Sequence, residues 1–435
     1  MKITMVTVVL AISWCVGSIS AQSNPADSET IEQAVRLTLQ NHPAIRQAEY
    51  GLIASDARLE VSRSARMPDI SFDGEYVRIG PVPHFNLGGS GPLELAPYNN
   101  YDLHVGLRQT LYDFGKTNAA VHVAETSGRT AADQVDLTKF NLAYQTIGVC
   151  NNILILHQRI NVLDEQLRTL NQHLDMSLKK ITAGTATDFD TLTIQVRIAV
   201  VRSDHIDAVH MLETQEITFR QLTGLPSSTP INLCGTFASD KIEINADSLL
   251  KTAVVQRPEM ILSHDAESIA AAQSQLVSLG DKPILALNLA TGFKNGYEPN
   301  LDTWRGNYAA GIELKVPVFN GYRTKHQEAE AAANANSIRT HTTDLETQIQ
   351  SEVRQAIAGV KSSLEKIAST DAQVRQAEQA VSMARVRYNA GVNTNLDLLD
   401  AETALSQTKL IRLRALYDYT MSLVALDRAT GKRAW

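Results

Sequence analysis

Two hydrophobic rhythms alternate along the chain. Ile70, Phe72, Gly74 and Tyr76 alternate with Ser71, Asp73 and Glu75, a period of two that predicts a strand after Pro68. A loop over 80–100, rich in Gly, Pro and Asn, separates it from a second strand. There Tyr101, Leu103, Val105, Leu107 and Leu111 alternate with Asp102, His104, Gly106, Arg108 and Thr110, and Asp113-Phe114-Gly115 closes the hairpin. The same pattern returns after Pro283. Leu285, Leu287 and Leu289 alternate with Ala286, Asn288 and Ala290. A loop over 296–305 follows. Tyr308, Ala310, Ile312, Leu314, Val316 and Val318 then make a strand closed by Phe319-Asn320-Gly321. Strands of about 10 to 12 residues suit tilted transmembrane strands with an apolar face out and a polar face in.

The other rhythm is helical. Residues 117–183 contain no Pro and predict one helix of about 100 Å. Ile160, Leu163, Leu167, Leu170 and Leu174 repeat along it at 3-4 spacing, as in a coiled-coil seam. A return helix over 188–222 stops at Thr223-Gly224. The second such pair is 322–390, with Leu345, Ile349, Val353 and later Val374, Ala377, Val381, Ala384 and Tyr388 in register, and a return helix that stops at Thr430-Gly431. Each return helix covers about half of its outgoing helix, so the uncovered halves need other partners. Two shorter helical stretches carry a Pro break, Asn41-His42-Pro43 and Arg257-Pro258, where the chain restarts its helix.

The chain is therefore one unit used twice. Gly184 and Asp190 match Gly391 and Asp397 at an offset of 207, and Pro68 matches Pro283 at 215. Matching Gly115 to Gly321 gives 206, which makes the first β-hairpin nine residues longer than the second. The units are 22–228, with a β-hairpin over 69–112 and a helical hairpin over 117–224, and 229–435, with 284–319 and 322–431. At the second helical turn, Gly391 breaks the pattern and capping-type residues from Asn393 to Asn395 reopen it. Asp397 and Asp400 are three residues apart and share a helix face. From the residues alone they read as solvated N-terminal acids favoured by the helix dipole.

Composition narrows the reading. The 435 residues carry a net charge of −7, so nothing favours nucleic acid as a partner. Residues 1–21, with Lys2, an apolar run and small residues at Gly17, Ser18, Ser20 and Ala21, predict a secretory signal peptide. No other stretch has 18 consecutive apolar residues. Cys150 and Cys234 then remain, and their separation does not demand a disulfide; two buried free thiols are expected. His205 and His210 are five apart, the wrong spacing for a metal site on one helix face. Gly88-Gly89-Ser90-Gly91 lacks the Lys and helix of a phosphate cradle. No nucleophile, base and orienting group assemble, so no catalytic site, metal or cofactor is expected. Phe293, Tyr297 and Trp304 flank the second hairpin loop, either as membrane-interface aromatics or as loop packing.

This order of motifs resembles the TolC-like outer-membrane efflux protein family over essentially the whole mature sequence. The carriers are N-H-P and R-P in the first helices, L-Y-D-F-G and V-F-N-G after the inner strands, and R-Y-N-A-G-V-N-T-N-L-D-L-L-D-A-E at the second turn. The resemblance implies a mostly α fold with membrane β: a homotrimer in which each chain gives four strands to one 12-stranded β-barrel, above a long periplasmic coiled-coil α-barrel. It implies a passive exit duct for efflux or type I secretion, docked by a periplasmic adaptor and an inner-membrane pump of RND or ABC type. It implies that Asp397 and Asp400 form a constriction ring, and that Tyr388 ties to Asp190 beside the turns at Gly184 and Gly391. The family's basic lock residue falls at Asn393, a departure that weakens the charge part of that lock. The competing reading is a non-transport structural coiled-coil protein of the envelope.

Overall fold

A computed structural model describes residues 29–86, 92–184, 187–237 and 239–435. Residues 1–21, expected to be a signal peptide, and Gly88-Gly89-Ser90-Gly91 lie outside them. Helices α1 (Ile31–Asn41) and α2 (Pro43–Ser64) meet at His42, where Pro43 starts the second helix with no N–H to satisfy. Four strands follow: β1 (Asp69–Arg78), β2 (His84–Asn86), β3 (Pro92–Glu94) and β4 (Asn99–Tyr112). The long hairpin is α3 (Lys116–Thr182) and α4 (Asp188–Thr223). The second unit repeats this with α5 (Ala246–Gln256), α6 (Pro258–Ser278), β5 (Ile284–Lys294), β6 (Arg305–Lys315), α7 (Arg323–Asn389) and α8 (Asn395–Ala429). Among the described residues no helix is long and apolar enough to cross a membrane.

Three details differ from the sequence reading. β2 and β3 form a small ribbon inside what reads as a loop. β6 ends at Lys315 rather than running to Val318, because Pro317 has no N–H to continue a ladder. The repeat offset at the strand-to-helix turn is 207, not 206. α3 and α7 are both 67 residues long and begin and end 207 apart (323−116 and 389−182). The left-handed pair Phe114-Gly115 corresponds to Gly321-Tyr322, so the match of glycine to glycine is one residue out of register. Asp113 and Asn320 precede these pairs, and each bonds a Thr four residues on, Thr117 and Thr324. The first β-hairpin is thus eight residues longer, not nine.

The strands form one antiparallel sheet in the order β1-β4-β5-β6, so the β4–β5 pairing joins the two units. Its register sorts the side chains by face. Ile70, Leu107, Leu289 and Ala310 lie in one row and Phe72, Val105, Thr291 and Tyr308 in the next on that face. The opposite face carries Asp73, His104 and Asn307, then Glu75, Asp102, Lys294 and Arg305. On the edge strands the apolar face is bare, with Phe72 71% exposed and Tyr308 86%, while Leu107 and Leu287 on the central strands are half-buried. β1 and β6 are unpaired on their outer edges within the protomer.

The short helices cover the halves of α3 and α7 that the return helices leave open. α2 and α6 pack on α3, and α5 and α6 on α7. One core gathers Ala34, Ile45, Leu142, Ile153 and Phe219 of the first unit, and another gathers Met260, Ile349, Val353 and Tyr419 of the second. A third links Leu163, Leu170, Ile194 and Ile198 of the first unit to Leu399 of the second. Cys150 sits in the first core, and burial pushes its thiol up to about 12. Cys234 is exposed, contrary to the expectation of two buried thiols. It lies in the segment whose backbone bridges to Glu29 at the surface, and the backbone N–H rather than the side chain makes the contact.

Each return helix ends against its own unit's proline break. Asn41 Nδ2 donates to Thr223 O at 2.9 Å beside Gly224, and Gly431 packs on the Gln256-Arg257 backbone. A Cβ on Gly431, which has φ of 76°, would lie 2.8 Å from Arg257 N. Gly431→Ala is therefore expected to lower stability by roughly 1–3 kcal/mol, read as a lower thermal unfolding midpoint. Gly184→Ala, with φ of 75° and open space around it, should lose only the left-handed penalty.

Candidate functional site at the helical tip

The far ends of the two helical hairpins form the tip. Gly184 and Gly391 both take φ of 75°, the left-handed conformation that ends α3 and α7. α4 and α8 then start with the same device, a capping box of Thr187 with Asp190 and of Thr394 with Asp397. Thr394 N–H and Oγ1–H each donate to Asp397 Oδ2 at 2.8 Å, and Asp397 N–H returns a bond to Thr394 Oγ1 at 3.2 Å. Thr187 N–H and Oγ1–H donate to Asp190 Oδ2 at 2.9 and 2.8 Å. Hydrogen bonds from the Thr backbone, foremost, and its hydroxyl hold both carboxyls below the ordinary carboxylate range.

The two aspartates of the candidate ring are thus unequal. Asp397 spends one oxygen on its cap and keeps the other free. Asp400, one turn on, is exposed and meets Arg197 of α4 at 3.2 Å. That contact crosses between the units, as does Asn395 Nδ2 donating to Asp190 O at 3.3 Å. Asn393 lies in the turn, where its backbone N–H donates to Arg387 O at 3.3 Å. Tyr388 is buried, with Lys180 Nζ 3.6 Å from its ring centroid and the His173 ring at 5.5 Å. No hydrogen bond joins Tyr388 to Asp190 in this protomer; their carriers are instead Lys180 and the Thr187 cap.

Sequence reasoning passed over Lys180, Arg197, His173 and Glu402, and read Asn395 only as a capping-type residue. Arg197 had a legible signal, since it lies two turns from Asp190 on α4 and so on its face. The others depend on which helices meet across the units. Elsewhere, His205 Nε2 of α4 lies 3.1 Å from Asp164 Oδ1 of α3. Among the described residues no group of three metal-ligating side chains assembles.

The profile of a family described as outer membrane efflux protein matches residues 34–225 and 249–432. The chain belongs to that family. Each matched segment contains one long β-hairpin and one helical hairpin. The chain is 22% identical over 416 residues to the outer membrane protein TolC of Vibrio cholerae, covering 93% of this chain and 91% of the relative. It is 24% identical over 345 residues to the alkaline protease secretion protein AprF of Pseudomonas aeruginosa, covering 77% and 70%. Its fold matches that of the outer-membrane channel OprN with a TM-score of 0.79 at 16% identity, covering 93% of this chain and 90% of the other.

The caps set a pH dependence for the tip of this efflux-family chain. Because the folded carboxyls are depressed, their contribution is complete above the ordinary value of 3.8 and is lost as pH falls through their lowered values. Thr394→Val should remove about 1 kcal/mol from the start of α8 at neutral pH. Faster amide hydrogen exchange over 395–399, with 188–192 unaffected, is the expected result.

Proposed function

We propose that the protein is a trimeric outer-membrane exit duct, a passive conduit through which efflux or secretion cargo leaves the cell. The observation that carries this is the four-stranded sheet with an apolar face left without cover on its edge strands and two open edges. Lipid offers no hydrogen-bond partners, so such edges must pair with further copies until the sheet closes. Three copies give the 12 strands that the family resemblance implies. Strands of 10 to 14 residues, tilted by about 45°, cross an apolar layer of about 25 Å.

Aromatic residues lie at both ends of the strands, where interface belts belong. Tyr76, Tyr101 and Trp304 stack at 5.1 and 5.3 Å at one end. Tyr112 with Phe114 and Phe319 with Tyr322 pair at the other. The polar face then lines the pore, and the helices extend it into the periplasm. A periplasmic adaptor and an inner-membrane pump supply the energy and choose the cargo.

At the tip, threefold symmetry gathers Asp397 and Asp400 into a constriction ring that attracts cations. Arg197 sits 3.2 Å from one oxygen of Asp400, whereas the second oxygen of Asp397 is left to face cations. Single-channel recording in a planar bilayer tests this. A small, cation-selective conductance blocked by divalent cations is expected, and Asp397→Ala plus Asp400→Ala should raise it and abolish the block. Unchanged conductance and block in the double variant would remove the ring. Failure to insert at all would return the chain to a structural coiled-coil role.

A further inference from the structure

Near mid-length, α3 and α4 of the first unit stand beside α7 and α8 of the second, with α3 against α8. A cleft of about 860 Å3 opens there, and all four helices line it. Small-molecule sites span about 300–1,000 Å3, so the cleft is of that size. Its body is apolar. Ile155 and Leu156 of α3, Met211 of α4, and Leu410, Ile411 and Leu413 of α8 line it. Met211 is 49% exposed and Ile411 52%, although Leu156 and Leu413 are buried. The part of the lining that α7 supplies is polar, with Lys366, Ser369, Thr370 and Gln373.

The charge of the lining is lopsided. Arg159, Lys366 and Arg414 are cations, and Asp418 is the single acid among the lining residues. Arg414 Nε donates to Asp418 at 2.8 Å, which occupies that acid. Among the described residues, Arg159 and Lys366 have no carboxylate partner. Cations close by do find one: Lys409 meets Glu165 at 2.8 Å and Arg412 meets Asp371 at 2.5 Å. The neutral polar groups satisfy one another. Tyr417 Oη–H donates to Asn152 Oδ1 at 2.5 Å, and Asn152 Nδ2 donates to Gln215 Oε1 at 3.3 Å. They fix the shape of the cleft, and the two uncompensated positive charges are left beside apolar surface.

We propose that this cleft binds an amphipathic organic anion, a hydrocarbon body carrying a carboxylate or sulfonate. The body covers Met211, Ile411 and the apolar residues between them, which removes exposed hydrocarbon from water. The acid group takes charge-assisted hydrogen bonds from Arg159 and Lys366, strengthened where apolar neighbours exclude water. A cation is repelled by the same two residues. The ligand touches both units, and so it holds the first helical hairpin to the second at mid-length. This site goes beyond the exit-duct reading and does not depend on it.

The full-length protein in phosphatidylcholine nanodiscs is titrated with naphthalene-2-sulfonate by isothermal calorimetry, with empty discs subtracted. Naphthalene-2-methanol serves as the uncharged match. Saturable binding of the sulfonate is expected, about tenfold tighter than of the alcohol. A ligand that binds only the folded protein should also raise the thermal unfolding midpoint. Arg159→Ala plus Lys366→Ala should abolish the preference for the sulfonate. Met211→Trp, which fills the apolar part of the cleft, should abolish binding of both probes. Equal affinity for the two probes overturns the proposal, and that comparison needs no variant, so it decides if a variant fails to fold. Unchanged binding in either variant overturns it too, as does the absence of saturable binding, the result if another chain fills the cleft. Single-channel recording of the unliganded wild type judges the duct separately, so either reading can fail alone.

Discussion

A sheet that faces lipid has nowhere to send the hydrogen bonds of its edge strands. That requirement governs this chain more than any single contact. Four strands in the order β1-β4-β5-β6 leave β1 and β6 open, and their apolar rows find no cover within the protomer. The helices obey the same logic in water: α3 and α7 are far longer than their return helices, and α2, α5 and α6 fill the difference.

Duplication supplies the interlock. α6 of the second unit packs on α3 of the first, β4 pairs with β5, and α8 lies along α3. Each unit uses its own hydrogen-bonded cap, proline break and left-handed glycine, with α3 and α7 matching to the residue in length. The units are not copies in chemistry. Asn41 at the first latch corresponds to Gln256, and the neighbouring cap residue His42 to Arg257, whose guanidinium bonds Glu259 and Glu352 while itself buried.

Much of the fold was legible because its signals are local. Period-two alternation marked β1, β4 and β5, proline breaks marked the restarts at Pro43 and Pro258, and glycine marked the tip turns. The β2–β3 ribbon was hidden in loop composition, and the register at Phe114-Gly115 was hidden because glycine and the aromatic residue exchange places between the repeats. The tip was legible only in part. Asp190 and Asp397 stood out by spacing, but spacing along one helix does not show which helix lies opposite. Arg197 beside Asp400, Lys180 over Tyr388 and Glu402 beside His173 are all partnerships across units, set by packing that no stretch of sequence contains.

The uninterrupted length of α3 and α7 has a mechanical meaning. A helix of 67 residues is about 100 Å long, and neither contains a proline at which to bend. Their upper halves are gripped by α2, α5 and α6, while beyond those helices they run toward the tip beside only α4 and α8. Each hairpin is then a stiff lever with its fulcrum near mid-length. A rotation of roughly 5° over the free half, about 50 Å, moves the tip by about 4 Å, several atomic radii. Such a lever turns a small rearrangement of packing at the fulcrum into a displacement as wide as a hydrated ion's shell.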